Sequence, residues 1–356
     1  MIRSAIREQP PPRPVSTPHL WGGVETERLS ITPDSLVHSS DSEPGIARRV
    51  RGRGFSFHHP DGSLVEDAPT LQRIELLGLP PAWRDVWVCA HPHGHLQATG
   101  RDEAGRKQYR YHERWREHRD RLKYAGLPEF GEALPALRAR VYRDLQRNRA
   151  DKSFVSAALV RLLDRTALRV GNTEYAEENG SFGATTLRRR HIRFDDSKIR
   201  LDFRAKGGKR VRRQVGDRTL HRVLEQIEDL PGRELFHYLD ADGEVRRLDS
   251  ADVNSYLAQT LDGEFTAKTF RTWRGTVEAF AEACEAPELS IKSMCERAAA
   301  ALHNTPTICR KSYIHPDVIG LAGMEPEERE ASLAKPKAER RDGLRKAEAG
   351  LLAFLG

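Results

Sequence analysis

The stretch Cys309–Pro316, CRKSYIHP, places Tyr313 two residues after a pair of cations and three residues before a proline. Such a tyrosine is either a half-buried aromatic of a basic helix or a nucleophile whose neighbouring cations serve a phosphate. A phenol has an unperturbed pKa of about 10, so a tyrosine that attacks phosphorus must lose its proton as it does so. The phosphorane that forms needs several fixed donors. Arginine suits that role because it stays charged and binds two oxygens at once, and a lysine can protonate the leaving alkoxide.

No motif for a metal or a nucleotide accompanies this tyrosine in the sequence. HExxH, an EF-hand loop, a Cys/His pair at ligand spacing and GxxxxGK[ST] are all absent. Four cysteines occur without a CxxC spacing, which argues against structural zinc and against a disulfide framework. We therefore expect no cofactor and no metal, and any phosphate chemistry would depend on fixed cationic side chains.

Three cations lie where predicted local structure could direct them into a site. Arg169 falls in the last turn of a helix predicted to stop at Gly171, and Lys206 flanks the turn of a hairpin in AKGGK. Arg271 lies near the start of a helical pattern that begins at about Thr269. Each also has an ordinary interpretation, respectively a helix-dipole complement, a solvated turn lysine and a surface charge. Local context alone does not choose between the two interpretations.

The segment before Tyr313 has the signals of a short helix. Thr305 is predicted as the N-cap and Pro306 as the first helical residue, so Tyr313 follows about two turns later. Pro316 is predicted to end this helix. His303 and Asn304 stand just before it, where their ordinary role would be capping.

Composition places the chain among basic, charge-rich proteins. It has 356 residues, 31% of them charged and 38% hydrophobic, a formal net charge of +7 and a pI near 9.3. A basic balance favours an acidic partner, most often nucleic acid. No run of about 18 apolar residues occurs, and the N-terminus lacks the apolar core of a secretory signal. We therefore expect no membrane association and a cytoplasmic, nucleoid-associated location.

Three regions of the chain differ in composition and in side-chain periodicity. Residues 1–44 are rich in proline and serine and are predicted to be a disordered tail. Residues 45–121 alternate apolar and polar side chains around turn signals, with strand-like runs at Val86–Cys89 and His95–Thr99, which predicts a small antiparallel β domain. Residues 122–356 are mainly helical in pattern, except for a β-hairpin predicted around Gly207 and Gly208. The fold class is therefore α+β, with a linker near residues 115–125.

Several blocks of the sequence, in order and spacing, resemble the type IB DNA topoisomerases, and in particular their compact poxvirus-like bacterial branch. The blocks are LRVGNTEYAEENGSFGATTLRRRHI, FRAKGGK, FTAKTFRTWRGT and NTPTICRKSYIHP, preceded by PPAWRDVWVCAHPHGHLQATGRDEAGRKQYRYH. The resemblance covers residues 45 to about 325. It implies a fold like that of type IB topoisomerases and tyrosine recombinases, and the relaxation of supercoiled duplex DNA through a 3′-phosphotyrosyl intermediate, without ATP or metal. It also implies a monomer whose two lobes close around DNA.

The same resemblance implies a role for each candidate. Tyr313 matches the nucleophile, Arg169 and Arg271 match the arginines that hold the nonbridging oxygens, and Lys206 matches the hairpin lysine that expels the 5′-oxygen. The fifth position, nine residues before the tyrosine, is Asn304.

The fifth position is a histidine in poxvirus and eukaryotic members, and here His303 stands one residue from it. Asparagine can donate a hydrogen bond but cannot titrate. We assign the position to Asn304 and keep His303 as the alternative.

DNA contacts are expected in two parts of the chain. The segment GRKQYRYH resembles the family's major-groove segment, and two basic runs, LRRRH and KRVRR, would contact phosphates. Each could instead be a solvated basic surface. The candidates in these segments are Arg106, Lys107, Gln108, Tyr109, Arg188, Arg189 and Lys209, and Arg310, three residues before Tyr313, is a further candidate.

Two other classes of protein remain open at this stage. A tyrosine recombinase uses a similar set of Arg, Lys and Tyr, but its usual His-x-x-Arg element is missing, since Arg271 stands in FRTWRG. A basic architectural DNA-binding protein would leave Tyr313 chemically inert.

Overall fold

The computed structural model of the protein describes residues 35–147, 149–196 and 198–356. The prediction of a disordered tail therefore falls, over residues 1–34, outside the described residues. The later part of that predicted tail, residues 35–44, lies along the first sheet. Val37 exchanges backbone hydrogen bonds with His93 and His95, Ser39 Oγ donates to the Leu96 carbonyl, and Trp87 Nε1 donates to the Glu43 carbonyl at 2.9 Å.

A five-stranded antiparallel sheet follows, as the alternating pattern predicted. Its spatial order is β2-β1-β3-β4-β5, and the short helix α1 (Ala68–Leu76) packs Ile74 against the sheet. Asp67 caps this helix, because its carboxylate accepts from the Thr70 backbone N–H at 3.0 Å. Ile46, Val88 and Ala98 form the centre of this small core. The strands are β1 (Ile46–Arg51), β2 (Gly54–His58), β3 (Arg84–Val88), β4 (Leu96–Arg101) and β5 (Lys107–Tyr111).

The predicted linker is a helix, α2 (Glu113–Ala125). Near its start the Trp115 ring meets the edge of His95 at a centroid distance of 4.8 Å, and near its end Tyr124 meets His315 at 5.2 Å. The helix therefore joins the β-sheet region to the helical region with a packed contact at each end.

Helix α4 (Lys152–Thr166) lies within the core of the helical region, and its side chains are buried on nearly every face. Such a helix belongs to the centre of a domain. Gly131 lets its own helix approach the helix of Trp273 closely, since a Cβ at position 131 would lie 2.4 Å from the Trp273 ring. The other helices are α3 (Leu127–Gln146), α5 (Thr173–Asn179), α6 (Arg218–Glu228), α7 (Ser250–Ala258), α8 (Thr269–Glu285), α9 (Ile291–Leu302), α10 (Pro306–Ser312), α11 (Pro316–Gly320), α12 (Pro326–Ala338) and α13 (Lys346–Leu355).

A three-stranded antiparallel sheet interrupts the helices, in the order β6-β7-β8. Its strands are β6 (Ile192–Asp195), β7 (Lys198–Arg204) and β8 (Arg210–Gly216), and a separate hairpin is formed by β9 (His237–Leu239) and β10 (Val245–Arg247). The turn between β7 and β8 contains Gly207 at φ +75° and Gly208 at φ +74°, which are conformations that favour glycine. The predicted hairpin therefore forms, and the architecture is α+β.

Partly buried ion pairs hold the C-terminal helix in this region. Arg138 on α3 binds both Asp164 on α4 and Glu348 on α13, and Arg345 contacts the same two carboxylates. Leu351 and Leu352 are buried beside them. The helix α13 thus packs on α3 and α8, and these ion pairs connect it to α4.

Candidate active site

Tyr313 is the C-cap residue that directly follows helix α10. Thr305 caps the start of this helix, accepting from the Ile308 N–H at 3.3 Å, and Pro306 is its first residue, as predicted. The helix ends at Ser312, and Pro316 starts the next helix, α11, instead of ending α10. The two helices are short and adjacent, so the backbone around Tyr313 is fixed on both sides.

The main chain of Tyr313 is held by helix α8, a contact that the sequence did not predict. The Thr276 hydroxyl lies 3.2 Å from the Tyr313 carbonyl and accepts from the His315 N–H at 3.1 Å. A Cβ at Gly275 would lie 2.5 Å from the Tyr313 carbonyl oxygen. Position 275 therefore has room only for glycine, and a glycine inside a helix was the one signal for this contact.

Arg271 lies beneath the Tyr313 ring, with its guanidinium carbon 4.9 Å from the ring centroid. It is 3% exposed. Its Nη1 donates to the Ala167 carbonyl at 2.5 Å and its Nη2 to the Leu302 carbonyl at 3.2 Å. Within the described residues its Nε has no hydrogen-bond partner although it is buried. A guanidinium carries five N–H donors, so this one is oriented by two carbonyls and keeps donors for an anion.

Arg169 lies near Arg271, but not in the last turn of a helix as predicted. Helix α4 ends at Thr166, because Ala167 adopts the left-handed conformation at φ +49°. The sequence placed the stop four residues later, at Gly171. The segment after the helix is fixed where the Ala184 N–H donates to the Arg169 carbonyl at 2.8 Å.

The charge environment of Arg169 connects it to the same site. Burial and the nearby charge of Arg271 lower the pKa of Arg169, and Tyr313 opposes that shift. The group remains a cation at neutral pH, because arginine is effectively always protonated in proteins. Two like charges held this close are costly unless an anion lies between them.

His303 and Asn304 form the turn between α9 and α10, and their side chains differ in state. His303 Nε2 accepts from Arg213 Nε at 2.9 Å, so that nitrogen is already in use. Asn304 Oδ1 accepts from the Thr305 N–H at 3.0 Å, whereas its Nδ2 is buried and unpartnered in the described part of the chain. An unpaired buried donor is costly, and it marks a place for a missing acceptor.

Lys206 has an exposed side chain at the tip of the β7–β8 hairpin. The turn is closed by the Ala205 N–H, which donates to the Lys209 carbonyl at 2.7 Å. The structure thus gathers Arg169, Arg271 and Tyr313 around one centre and places Lys206 at the solvent side, on a hairpin.

The predicted DNA-contact residues of the β-sheet region are engaged with carboxylates. Lys107 Nζ lies 2.5 Å from Asp41, and Arg106 and Gln108 both bind Asp102. Tyr109 stacks on Tyr111 with ring centroids 6.1 Å apart. A phosphate at these cations would have to displace carboxylates that now neutralise them.

The predicted phosphate contacts of the helical region fall into two groups. Arg188 covers the Phe182 ring at 4.9 Å, and the Arg189 guanidinium donates to the Leu230 carbonyl. Both contacts are structural. Lys209 and Arg310 are exposed and accessible to a ligand.

The described ranges hold neither a metal-binding cluster nor a membrane-spanning helix. Among residues 35–147, 149–196 and 198–356, no group of three or more His, Cys, Asp or Glu side chains is placed to hold a metal ion. Over the same ranges no helix combines the length and apolar character needed to cross a membrane.

Known proteins resemble this chain along most of its length. Residues 112–315 match the family model described as the catalytic core of eukaryotic DNA topoisomerase I, and residues 54–102 match the N-terminal domain of bacterial DNA topoisomerase IB. DNA topoisomerase 1B of Acanthamoeba polyphaga mimivirus is 29% identical over 299 residues, which are 80% of this chain and 89% of the viral one.

Other matches cover only part of either chain. DNA topoisomerase 1 of Drosophila melanogaster is 25% identical over 166 residues, or 44% of this chain and 16% of the fly protein. A solved XerH site-specific recombinase bound to difH substrate aligns with a TM-score of 0.35 at 13% identity, covering 55% of this chain and 51% of that one. Because the catalytic-core model alone spans more than half of the 356 residues, the chain belongs to the type IB DNA topoisomerase family.

Proposed function

We propose that Tyr313 is the nucleophile with which this enzyme cuts one strand of duplex DNA. Its phenolic oxygen forms a bond to a backbone phosphorus while the bond from phosphorus to the 5′-oxygen breaks, leaving a 3′-phosphotyrosyl link and a free 5′-hydroxyl. The 5′-hydroxyl later attacks the same phosphorus and releases the tyrosine. One phosphodiester is exchanged for another, so the covalent link stores the bond energy while the strand rotates.

The observation that carries this assignment is the position of Arg271. A buried guanidinium lies 4.9 Å from the tyrosine ring, two carbonyls orient it, and its buried Nε has no partner in the residues that the structure describes. Fixed donors aimed at developing charge are the strongest single contribution to many reactions. We assign Arg271 and Arg169 to the nonbridging oxygens of the scissile phosphate, which would also relieve the repulsion between the two cations.

The fifth catalytic position belongs to Asn304 in this proposal. Its buried Nδ2 lacks an acceptor among the described residues, and a nonbridging phosphate oxygen would supply one. Its Oδ1 is held by the Thr305 N–H, so the amide cannot turn without losing a hydrogen bond. His303 is the weaker candidate, because Arg213 occupies its Nε2.

Lys206 is the general acid in this proposal. Its ammonium group can donate a proton to the departing 5′-oxygen, which would otherwise leave as an unfavourable alkoxide. The lysine is exposed on the tip of a hairpin. We propose that duplex DNA brings the tip and the scissile phosphate together.

The duplex would lie between the β-sheet region and the helical region, with the protein closing on it as a monomeric clamp. The division into a β-rich domain of residues 45–121 and a catalytic domain of residues 122–356 belongs to the same proposal. Both regions carry their own hydrophobic core, which supports it. A DNA-relaxing enzyme of this kind would act on the chromosome in the cytoplasm.

The direct test is relaxation of negatively supercoiled plasmid in EDTA without ATP, for the wild type and for Tyr313→Phe. We expect only the wild type to relax the plasmid and to be trapped covalently on DNA, with similar DNA affinity for both proteins. Near-normal relaxation by Tyr313→Phe would refute the mechanism. Binding without trapping by the wild type would indicate an architectural protein, and a tetramer on paired sites would indicate a recombinase.

A further inference from the structure

Strand β8 carries an arginine where its alternation calls for an apolar residue. Val211 and Val215 face the core, and Arg213 lies between them on the same face, half-buried. Its partner across the sheet, Leu201, is 1% exposed. A cation at such a position is costly unless acceptors compensate for the lost water.

Two acceptors at the end of helix α9 supply that compensation. Arg213 Nε donates to His303 Nε2 at 2.9 Å, and its Nη2 donates to the Ala301 carbonyl. The carbonyls of the last helical turn lack partners within the helix and carry the negative end of its dipole. Arg213 therefore satisfies a helix end and a side chain with one guanidinium.

The histidine at this helix end has an unusual backbone and a defined protonation state. His303 adopts φ +47°, a conformation that L residues rarely take outside turns. Because its Nε2 accepts a hydrogen bond, the ring is neutral with its proton on Nδ1. Burial and the charges of Arg213 and Arg271 lower the pKa of His303, which keeps the ring neutral.

The next residue in the chain is Asn304, with its buried and unpartnered Nδ2. Its backbone N–H donates to the Ala299 carbonyl at 3.0 Å, so the turn that Arg213 holds also sets the direction of the Asn304 side chain. Resting on the catalytic roles proposed above, we propose that Arg213 is a positioning residue: through His303 and the Ala301 carbonyl it fixes the α9–α10 turn and so aims the Asn304 amide at the scissile phosphate.

Arg271 holds the neighbouring carbonyl of the same helix end. It donates to the carbonyl of Leu302, one residue after Ala301. The end of α9 therefore accepts one hydrogen bond from Arg213 on the sheet and one from Arg271 on α8. Loss of Arg213 therefore leaves the hydrogen bond from Arg271 to Leu302 in place. The helix end should stay folded while the turn after it, and Asn304 with it, becomes misdirected.

The first measurement is single-turnover cleavage at saturating duplex DNA by Arg213→Ala. A matched control is Arg200→Ala, which removes an exposed arginine from the other face of the same sheet, where it pairs with Asp195. We expect Arg213→Ala to cleave about 100-fold more slowly, the loss typical of a slightly misplaced catalytic group. Its dissociation constant for DNA should stay close to that of the control, and its Tm should fall by only a few degrees, since the Ala301 carbonyl loses its donor. Cleavage by Arg213→Ala as fast as by the control would overturn the inference.

The second measurement asks whether Arg213 acts through Asn304. In an Asn304→Ala background the further change Arg213→Ala should cost less than about threefold, because residues that act as one unit are not additive. A full 100-fold cost in that background would mean that Arg213 acts elsewhere and would also overturn the inference. If Arg213→Ala does not fold, Arg213→Lys replaces it in both measurements, since one ammonium cannot bind both acceptors in the guanidinium geometry.

His303 supplies a conservative rescue that a general loss of stability would not reproduce. We expect His303→Gln, which keeps an acceptor for Arg213, to cleave at close to the wild-type rate. His303→Leu, which is of similar size but has no acceptor, should slow towards Arg213→Ala. Equal rates for the two variants would contradict the pairing. Absence of covalent trapping in the wild type would instead refute the proposed function itself, so the two failures are distinguishable.

Discussion

Replacing Arg271 with lysine keeps one positive charge but removes the fork that the site uses. The guanidinium reaches the Ala167 carbonyl at 2.5 Å and the Leu302 carbonyl at 3.2 Å, and it lies 4.9 Å from the Tyr313 ring. One ammonium cannot contact both carbonyls and a phosphate oxygen in the same plane. The Arg271→Lys variant must therefore lose either a contact of the fold or a contact of the transition state.

The expected size of each loss can be worked out from these contacts. Removing one preorganised donor to a developing anion costs about 2.7–4 kcal/mol, which is a factor of about 100 to 1,000 in rate because about 1.36 kcal/mol corresponds to tenfold. A buried carbonyl left without a donor costs about 1–3 kcal/mol of folding free energy. We expect cleavage to slow by about two to three orders of magnitude and the Tm to fall by several degrees.

The assay is single-turnover formation of the covalent complex at saturating duplex DNA, with thermal unfolding measured on the same preparations. Arg274→Lys is the matched control, because Arg274 lies one turn later on α8 and pairs with Glu278 at 2.8 Å, a contact that lysine can also make. The control should cleave and unfold like the wild type. If Arg271→Lys also cleaves within about threefold of the wild-type rate, then the forked guanidinium is not needed and the assignment fails.

Three further changes test separate contacts. Gly275→Ala should lower the unfolding temperature and slow cleavage, because its Cβ would lie 2.5 Å from the Tyr313 carbonyl; unchanged unfolding and cleavage would contradict the close packing. Lys206→Ala should slow cleavage by orders of magnitude on normal DNA but little on a substrate with a 5′-bridging sulfur, since a thiolate leaves without a proton; equal losses on both would argue against a general acid. Glu348→Ala should lower the free energy of unfolding by about 3–5 kcal/mol in urea, because it removes a buried carboxylate from the partly buried Arg138; a loss below about 1 kcal/mol would show that Asp164 suffices.

The sequence predicted the elements of the site well wherever local chemistry decides the outcome. The cap at Thr305 and the proline after it define the start of α10, and glycines at 207 and 208 define the hairpin turn, because both depend on a few adjacent residues. The α+β class followed in the same way from the change in side-chain periodicity along the chain.

Long-range contacts were beyond the reach of such patterns. Helix α4 ends at Thr166 because Ala167 takes a left-handed conformation that no local signal marks, so Arg169 was placed inside the helix. The approach of α8 to the Tyr313 carbonyl depends on Gly275, which in a sequence is only a weak helix former. In the sequence, Arg213 is one more cation in a basic run. Only its pairing with Leu201 across the sheet shows that it lies on the core-facing side.

The contacts of Arg271 show how a buried cation of this site is stabilised in the absence of DNA. Its guanidinium binds carbonyls where α4 and α9 end, and the negative ends of two helix dipoles stabilise a buried charge there. Arg213 uses the end of α9 in the same way. The arginines are thus oriented by the fold itself, whereas Lys206 stands on an exposed hairpin tip. In the proposed mechanism, binding of the duplex changes the arginine positions little. Mutations of the hairpin turn should therefore affect the protonation of the leaving oxygen more than they affect the binding of the phosphate by the arginines.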